Sequence, residues 1–137
     1  MKLVIIESPL GTNADGSRCT PEEFEKNQRY AEACMLDSLR KNETAFASHV
    51  LYPLVLKDAD PKERRLGMEA GFAVAKAFAM ARAYVDTHKN PRAEGVDLVS
   101  AVYTDRGVSS GMAEGIERNQ RQGFKVEYRS LGNQWAK

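Results

Sequence analysis

"VYTDRGVSSGMAEGIERN", residues 102–119, changes character halfway. It opens as an apolar, β-prone run, passes through Asp105, Gly107, Ser109, Ser110 and Gly111, and continues as a helix. A strand that ends in a small-residue turn and starts a helix is the repeating unit of alternating α/β sheets. It also leaves the first N–H groups of the helix without intrahelical partners. Both the fold and the chemistry follow from asking what surrounds this unit.

Upstream, "KLVIIE" (2–7) is short, continuous and β-branched, which suits a strand buried on both faces of a parallel sheet. The turn-rich loop 8–19 follows. "TPEE" (20–23) then provides a helix start, with Thr20 as cap, Pro21 in the first position and Glu23 closing a capping box. That helix is predicted to run to about residue 41, with Phe24, Ala31, Cys34, Met35 and Leu39 as its inner stripe. "TAFASHVLY" (44–52) reads as a second strand ending near His49. "DPKE" (60–63) repeats the start device, with Asp60 as cap, and opens an alanine-rich helix over about 61–88 that ends before "KNP". Gly67 and Gly71 cost about 1 kcal/mol each relative to alanine, so the helix can break there. A third strand spans 96–104, the opening segment supplies a helix to about 122, and "KVEYR" (125–129) is a last strand. The tail 130–137 reads as a surface extension on which Trp135 can dock. The order β-α-β-α-β-α-β predicts a parallel sheet covered on both faces, and 137 residues suit a single domain spanning 1–137.

Bulk properties narrow the function. Hydrophobic residues at 42% and charged residues at 28% are ordinary for a soluble globular domain. A formal net charge of +1, with basic residues scattered rather than clustered, gives no reason to expect a nucleic-acid polymer or a membrane surface as partner. The apolar start is too short for a signal peptide and no run approaches a membrane span, so a cytoplasmic protein is expected. Cys19 and Cys34 lie fifteen apart without a CxxC or Cys/His cluster, so neither a disulfide nor a metal site is expected, and no cofactor is implied. The long alanine-rich helix suits packing against a second subunit.

In open α/β sheets ligands sit beyond the carboxyl ends of the strands, at the switch point of strand order. Three loops meet there: "ESPLG", "SHVLYP" and "TDRGVSSGM". The turn at 107–112 can cradle a phosphate or carboxylate with its glycines, its serine hydroxyls and the helix N-terminus; equally, Ser109 or Ser110 caps the helix and water fills the rest. A helix terminus contributes only about 0.3–2 kcal/mol toward an anion, whereas micromolar binding needs about 8 kcal/mol. The other loops must therefore grip an organic moiety. Asp105 and Glu7 each read either as a crevice acid, base or sugar contact or as a solvated strand-end carboxylate. His49 reads as a crevice residue or a packed one, and His88 as structural. Glu114 and Glu117 share a face of the last helix.

"ESPLG", "ASHVLYP", "DRGVSSGM" and "GFKVEYR", in that order and spacing, resemble the nucleoside 2-deoxyribosyltransferase-like superfamily, which includes nucleotide N-glycosidases. The chain is most similar to an uncharacterised branch, common in phages and bacteria, with a serine-x-glycine-methionine motif. The resemblance implies a flavodoxin-like (Rossmann-like) three-layer fold with a small parallel sheet of four to five strands, and usually a homodimer or larger homo-oligomer. It also implies a nucleoside or nucleotide ligand and metal-free cleavage or exchange of an N-glycosidic bond, in a bacterial or phage-infected cytoplasm. Carried over residue by residue, it puts ligand contacts on Ser8, Pro9, Gly11, Ser109, Gly111 and Met112, and an acidic residue on Asp105; the positions of His49 in the crevice and Ser110 in the turn add these two to the ligand contacts. The nucleophilic glutamate, six residues after the turn serine, falls on Gly115, which has no side chain to supply. Catalysis would then rest on Asp105 with Glu7, Glu114 or Glu117. The alternative is a binding module that sequesters or senses a signalling nucleotide without cutting it.

Overall fold

The computed structural model describes residues 1–88 and 95–136. Its elements are β1 (Lys2–Glu7), α1 (Pro21–Arg40), β2 (Thr44–Phe46), α2 (Ser48–Leu51), α3 (Pro61–His88), β3 (Asp97–Tyr103), α4 (Ser110–Arg121) and β4 (Lys125–Arg129). All strand pairs are parallel, in the order β2-β1-β3-β4. The chain runs from β1 outward to β2, then crosses back through α3 to β3 on the other side of β1. The switch point therefore lies between β1 and β3, as in flavodoxin-like sheets.

Strand alternation sorts the core into two layers. Val4 and Ile6 of β1 and Val99, Ala101 and Tyr103 of β3 face α1, where they meet Tyr30 and Cys34. Leu3 and Ile5 of β1 and Leu98 of β3 face the other way, against Ala75 and Phe78 of α3. By the same parity Glu7 points to the α3/α4 side. The sheet is thus the middle of three layers. No described helix is long and apolar enough to cross a membrane.

Of the two helix-start devices the first forms in full, while in the second Asp60 caps but Glu63 accepts from Lys57 N–H (3.3 Å) rather than from Asp60 N–H. Thr20 Oγ1 accepts from Glu23 N–H (3.2 Å) while Glu23 accepts from Thr20 N–H (2.8 Å). Asp60 accepts from Lys62 N–H at 2.9 Å. The helix stop expected at 89–91 lies outside the described residues.

Three expectations change. The second strand stops after three residues, and Ser48 and His49 begin a helical turn instead. β2 is an edge strand, and its continuation carries Ala47 and Val50 three apart, a spacing that places both in the α1-side core. Leu39 is 48% exposed, because the inner face of α1 follows Asn27, Tyr30, Ala31, Cys34 and Ser38, and residue 39 lies about 100° beyond Ser38. Finally, α3 runs unbroken through Gly67 and Gly71. A Cβ on Gly71 would fall 2.8 Å from Ser48 Cβ, and one on Gly67 would fall 3.3 Å from Leu56 Cδ1. These glycines let α2 and the 3-10 turn after it (Tyr52–Leu54) lie close against α3. The tail folds back, and Trp135 packs edge-on against Tyr30, centroids 4.8 Å apart.

Candidate functional site

The carboxyl end of β1, α2, the inner side of α3 and the start of α4 enclose a cavity of about 550 Å3, within the usual range for small-molecule sites. Its wall toward α3 and the 3-10 turn is largely apolar, with Phe46, Tyr52, Pro53, Leu56, Met68 and Phe72. Its polar groups come from the two strand ends and the rim.

Glu7 closes β1 and lines the cavity beside Gly115 of α4. A Cβ built on Gly115 would lie 2.6 Å from Glu7 Oε1 and 3.0 Å from its Cδ and Oε2. The carboxyl thus fills the space that a side chain at 115 would enter. Its hydrogen-bond donor is Asn119, buried one turn further along α4, whose Nδ2 donates to Glu7 Oε1 (3.4 Å) and Ser100 Oγ (3.3 Å). Burial raises the carboxyl from 4.5 to about 8, against the lowering effect of Asn119. Glu7 therefore carries a proton at neutral pH.

Ser8 follows immediately and is buried, with its Oγ 2.5 Å from His49 Nε2. Burial lowers the imidazole from 6.5 to about 4, so His49 is neutral at pH 7. The inner end of the cavity thus holds a protonated carboxyl, a hydroxyl and a neutral imidazole, with no formal charge. Each can donate or accept a hydrogen bond.

The start of α4 supplies the third side. Ser109 caps the helix, its Oγ accepting from Met112 N–H (3.3 Å), while Met112 Sδ takes the place of a capping-box carboxylate by accepting from Ser109 N–H (3.3 Å). The nearest atom to a Cβ on Gly111 would be Ser109 Oγ, at 4.0 Å. The backbone there is open to close approach.

The rim carries paired charges. Arg18 of the first loop reaches Asp58 (Nη2–Oδ2 3.0 Å), and Arg64 Nη1 donates to the Asp58 carbonyl (3.1 Å). A Cβ on Gly11 would fall 2.2 Å from Asp58 Oδ2, so only glycine lets this pair close across the cavity mouth. Glu114 bridges Arg65 of α3 (3.2 Å) and Arg118 (3.5 Å), with Arg118 stacked 4.0 Å over Phe72.

Of the residues singled out from the sequence, Glu7, Ser8, Gly11, His49, Ser109, Ser110, Gly111, Met112 and Glu114 line this cavity, while Pro9 is buried without lining it. Asp105 requires correction. It lies outside the cavity and accepts from Tyr30 OH (2.5 Å), Ser130 Oγ (2.5 Å), Leu131 N–H (2.9 Å) and Gly132 N–H (3.1 Å). Partial burial works to raise its pKa, but these donors prevail and hold it at about 2. A carboxylate so engaged ties the tail to the sheet and is unsuited to exchanging protons. Glu117 pairs with Arg121 away from the cavity. Asn119 and Phe72 carry no signal of their own among the sequence motifs. Asn119 was within reach of sequence reasoning, being a polar residue four after Gly115 and hence on its helix face. Among the described residues no group of three His, Cys, Asp or Glu side chains is placed to hold a metal ion.

The chain belongs to the family described as a domain of unknown function (DUF7768), whose profile matches residues 2–95. That span includes Glu7, Ser8, His49 and all of α3, and ends before β3 and α4. No curated protein and no solved structure matches the chain.

Proposed function

We propose that the cavity takes a nucleoside or nucleotide and cleaves its N-glycosidic bond, with the Glu7 carboxyl supplied from β1 in place of a glutamate at position 115. The observation that carries this reading is the 2.6 Å between Glu7 Oε1 and a Cβ built on Gly115. The two positions compete for one volume, so the Glu7 carboxyl occupies the place that a glutamate side chain on the helix would enter. The resemblance supplies the nucleoside; the apolar wall with Tyr52 and Phe72 is chemically suited to a base.

Glycosidic cleavage passes through an oxocarbenium-like state and is helped by an acid at the leaving group. A carboxyl protonated at neutral pH suits that role. As the bond from C1′ to the base nitrogen breaks, its electron pair stays on the nitrogen and the Glu7 proton moves there. Water then bonds to C1′ and returns a proton to the Glu7 carboxylate. Ser8 and His49 offer hydrogen bonds to sugar hydroxyls, and the N-terminus of α4 favours any anionic group on the ligand.

A second reading, binding without cleavage, draws on a different observation. The other cavity carboxylates are engaged: Asp58 with Arg18, Glu114 with Arg65 and Arg118, and Glu63 with the Lys57 N–H at 3.3 Å. A protonated Glu7 is no nucleophile either.

One experiment separates the readings. The purified chain is incubated with a mixture of nucleosides, nucleotides and signalling nucleotides, then filtered and denatured, and mass spectrometry identifies the released and retained species. Cleavage predicts free base from the native chain, none from Glu7→Gln, and partial recovery in the double variant Glu7→Gly, Gly115→Glu. Base release undiminished in Glu7→Gln would overturn the assignment. Recovery of intact nucleotide alone would establish the second reading.

A further inference from the structure

Three polar side chains meet at the base of the cavity, on the side of the sheet that carries Leu3, Ile5, Leu98 and Phe124. Ser100, in the middle of β3, is fully buried, and Asn119 of α4 is 1% exposed. Glu7 joins them from the end of β1. Burying an amide and a hydroxyl among apolar residues costs stability unless both find partners, and an apolar pair of similar size would avoid that cost. What the polar pair holds is the Glu7 carboxyl.

Asn119 is fixed from two directions. Its backbone carbonyl accepts from Gln122 and Phe124 N–H, at 3.1 and 3.0 Å, in the turn that leads from α4 to β4. Its Nδ2 gives one hydrogen to Ser100 Oγ (3.3 Å) and the other to Glu7 Oε1 (3.4 Å). An amide nitrogen has two hydrogens and accepts nothing, so both are spent.

The direction of the second bond decides where the Glu7 proton stands. An oxygen that accepts from Asn119 is the carbonyl oxygen of the neutral carboxyl, which leaves the proton to Oε2. Oε2 has no hydrogen-bond partner among the described residues. Among them, Gln122 Oε1 is the one fully enclosed side-chain atom in that condition, so Oε2 is open to the cavity. Were the amide reversed, Asn119 Oδ1 would accept the proton and keep it inside the protein.

We propose that Asn119 is the residue that positions Glu7 as a proton donor: it engages Oε1, leaves the proton to Oε2, and so presents that proton to the ligand. The proposal rests on the reading of Glu7 as the acid for a leaving base. Asn119 acts through Glu7 and not on the reacting atoms. Its effect on proton affinity has a definite sign. Burial raises Glu7 and Asn119 lowers it, because a donor to a carboxyl favours the charged form. The other ionisable groups around the cavity are His49 of α2, Glu63, Arg64 and Arg65 of α3, Glu114 of α4, and the Arg18–Asp58 pair at the mouth. Their hydrogen bonds and ion pairs go elsewhere than Glu7. Removing the Asn119 donor therefore makes Glu7 hold its proton more tightly and frees the carboxyl to turn.

Asn119→Leu keeps the bulk and removes the donor. NMR of the labelled side-chain carboxyls in the full chain, with Glu7 assigned by its loss in Glu7→Gln, follows the titration without a ligand. The native carboxyl should titrate at about 8, and that of Asn119→Leu about one pH unit higher, a tenfold gain in proton affinity. In base release the variant should lose about tenfold or more in kcat, with KM little changed and the alkaline limb moved upward with the NMR midpoint. A Glu7 midpoint equal to or below the native one overturns the positioning role, even with base release intact in the native chain. Should Asn119→Leu fail to fold, the native chain decides: the Asn119 side-chain amide resonance should move with the Glu7 midpoint, and one that stays constant across it overturns the role. A native chain that releases no base overturns the cleavage reading itself, and this inference with it.

Discussion

Replacing Glu7 with glutamine tests the electrostatics on which the site reading rests. In the unfolded chain the carboxyl loses its proton near 4.5, and in the folded chain near 8. Between these values the folded state holds the proton and the unfolded state does not, so stability falls as pH rises across that interval. At about 1.4 kcal/mol per pH unit the full loss is on the order of 5 kcal/mol, and water admitted by the cavity reduces it to about 3–5 kcal/mol. His49 acts with the opposite sign. Its ring titrates near 6.5 unfolded and near 4 folded, so the unfolded state binds the extra proton and stability rises with pH from 4 to 6.5. The two slopes nearly cancel between 4.5 and 6.5, and the Glu7 loss stands alone from 6.5 to 8. Urea denaturation of the native chain should therefore show stability level through mildly acid pH, then about 2 kcal/mol lower by pH 8 than at 6.5. Glu7→Gln should remove that fall and expose the His49 rise below it. Parallel profiles for the two proteins would refute a carboxyl held neutral by burial.

Three further outcomes follow from contacts away from the cavity. Asp105→Asn removes the charge that accepts from Tyr30, Ser130, Leu131 and Gly132; it should cost about 1–2 kcal/mol, free the tail and red-shift the fluorescence of Trp135, the single tryptophan, without altering base release. Arg129→Met leaves Glu43, whose side chain is 3% exposed, without its bidentate partner (2.8 and 2.7 Å), with Lys2 and Ser38 remaining as its contacts. A loss of about 3 kcal/mol in urea unfolding is expected, and under 1 kcal/mol would show that those contacts suffice. Gly71→Ala gains about 1 kcal/mol of helix propensity, but its Cβ meets Ser48 at 2.8 Å. A net loss of about 1–2 kcal/mol is expected, and a higher melting temperature would show that α2 yields freely.

Local rules read much of this chain correctly, and where they fell short the reasons differ. The capping residues at 20–23 and the apolar runs of β1 and β3 signal through neighbours a few positions apart, so helix starts and strand interiors were legible. "ASHVLYP" is ambiguous because its apolar residues fit both an edge strand and a helical turn; the contacts of Gly67 with Tyr52 and of Gly71 with Ser48 span 15 and 23 residues of sequence. Asp105 reads as a crevice carboxylate from its place after β3, yet the tail returns to claim it, and the donors at 130–132 lie 25 to 27 residues downstream.

The sequence by itself determined the alternation of strands and helices, the parallel three-layer sheet and the loops that would meet at one end. Those follow from periodicity and end signals, which act over a few residues. Only the tertiary structure decided that Glu7 and Gly115 share one volume and that Glu7 keeps its proton while Asp105 does not. A carboxyl's proton affinity depends on which chain segments exclude water from it and which donors reach it, and those partners come from distant parts of the sequence.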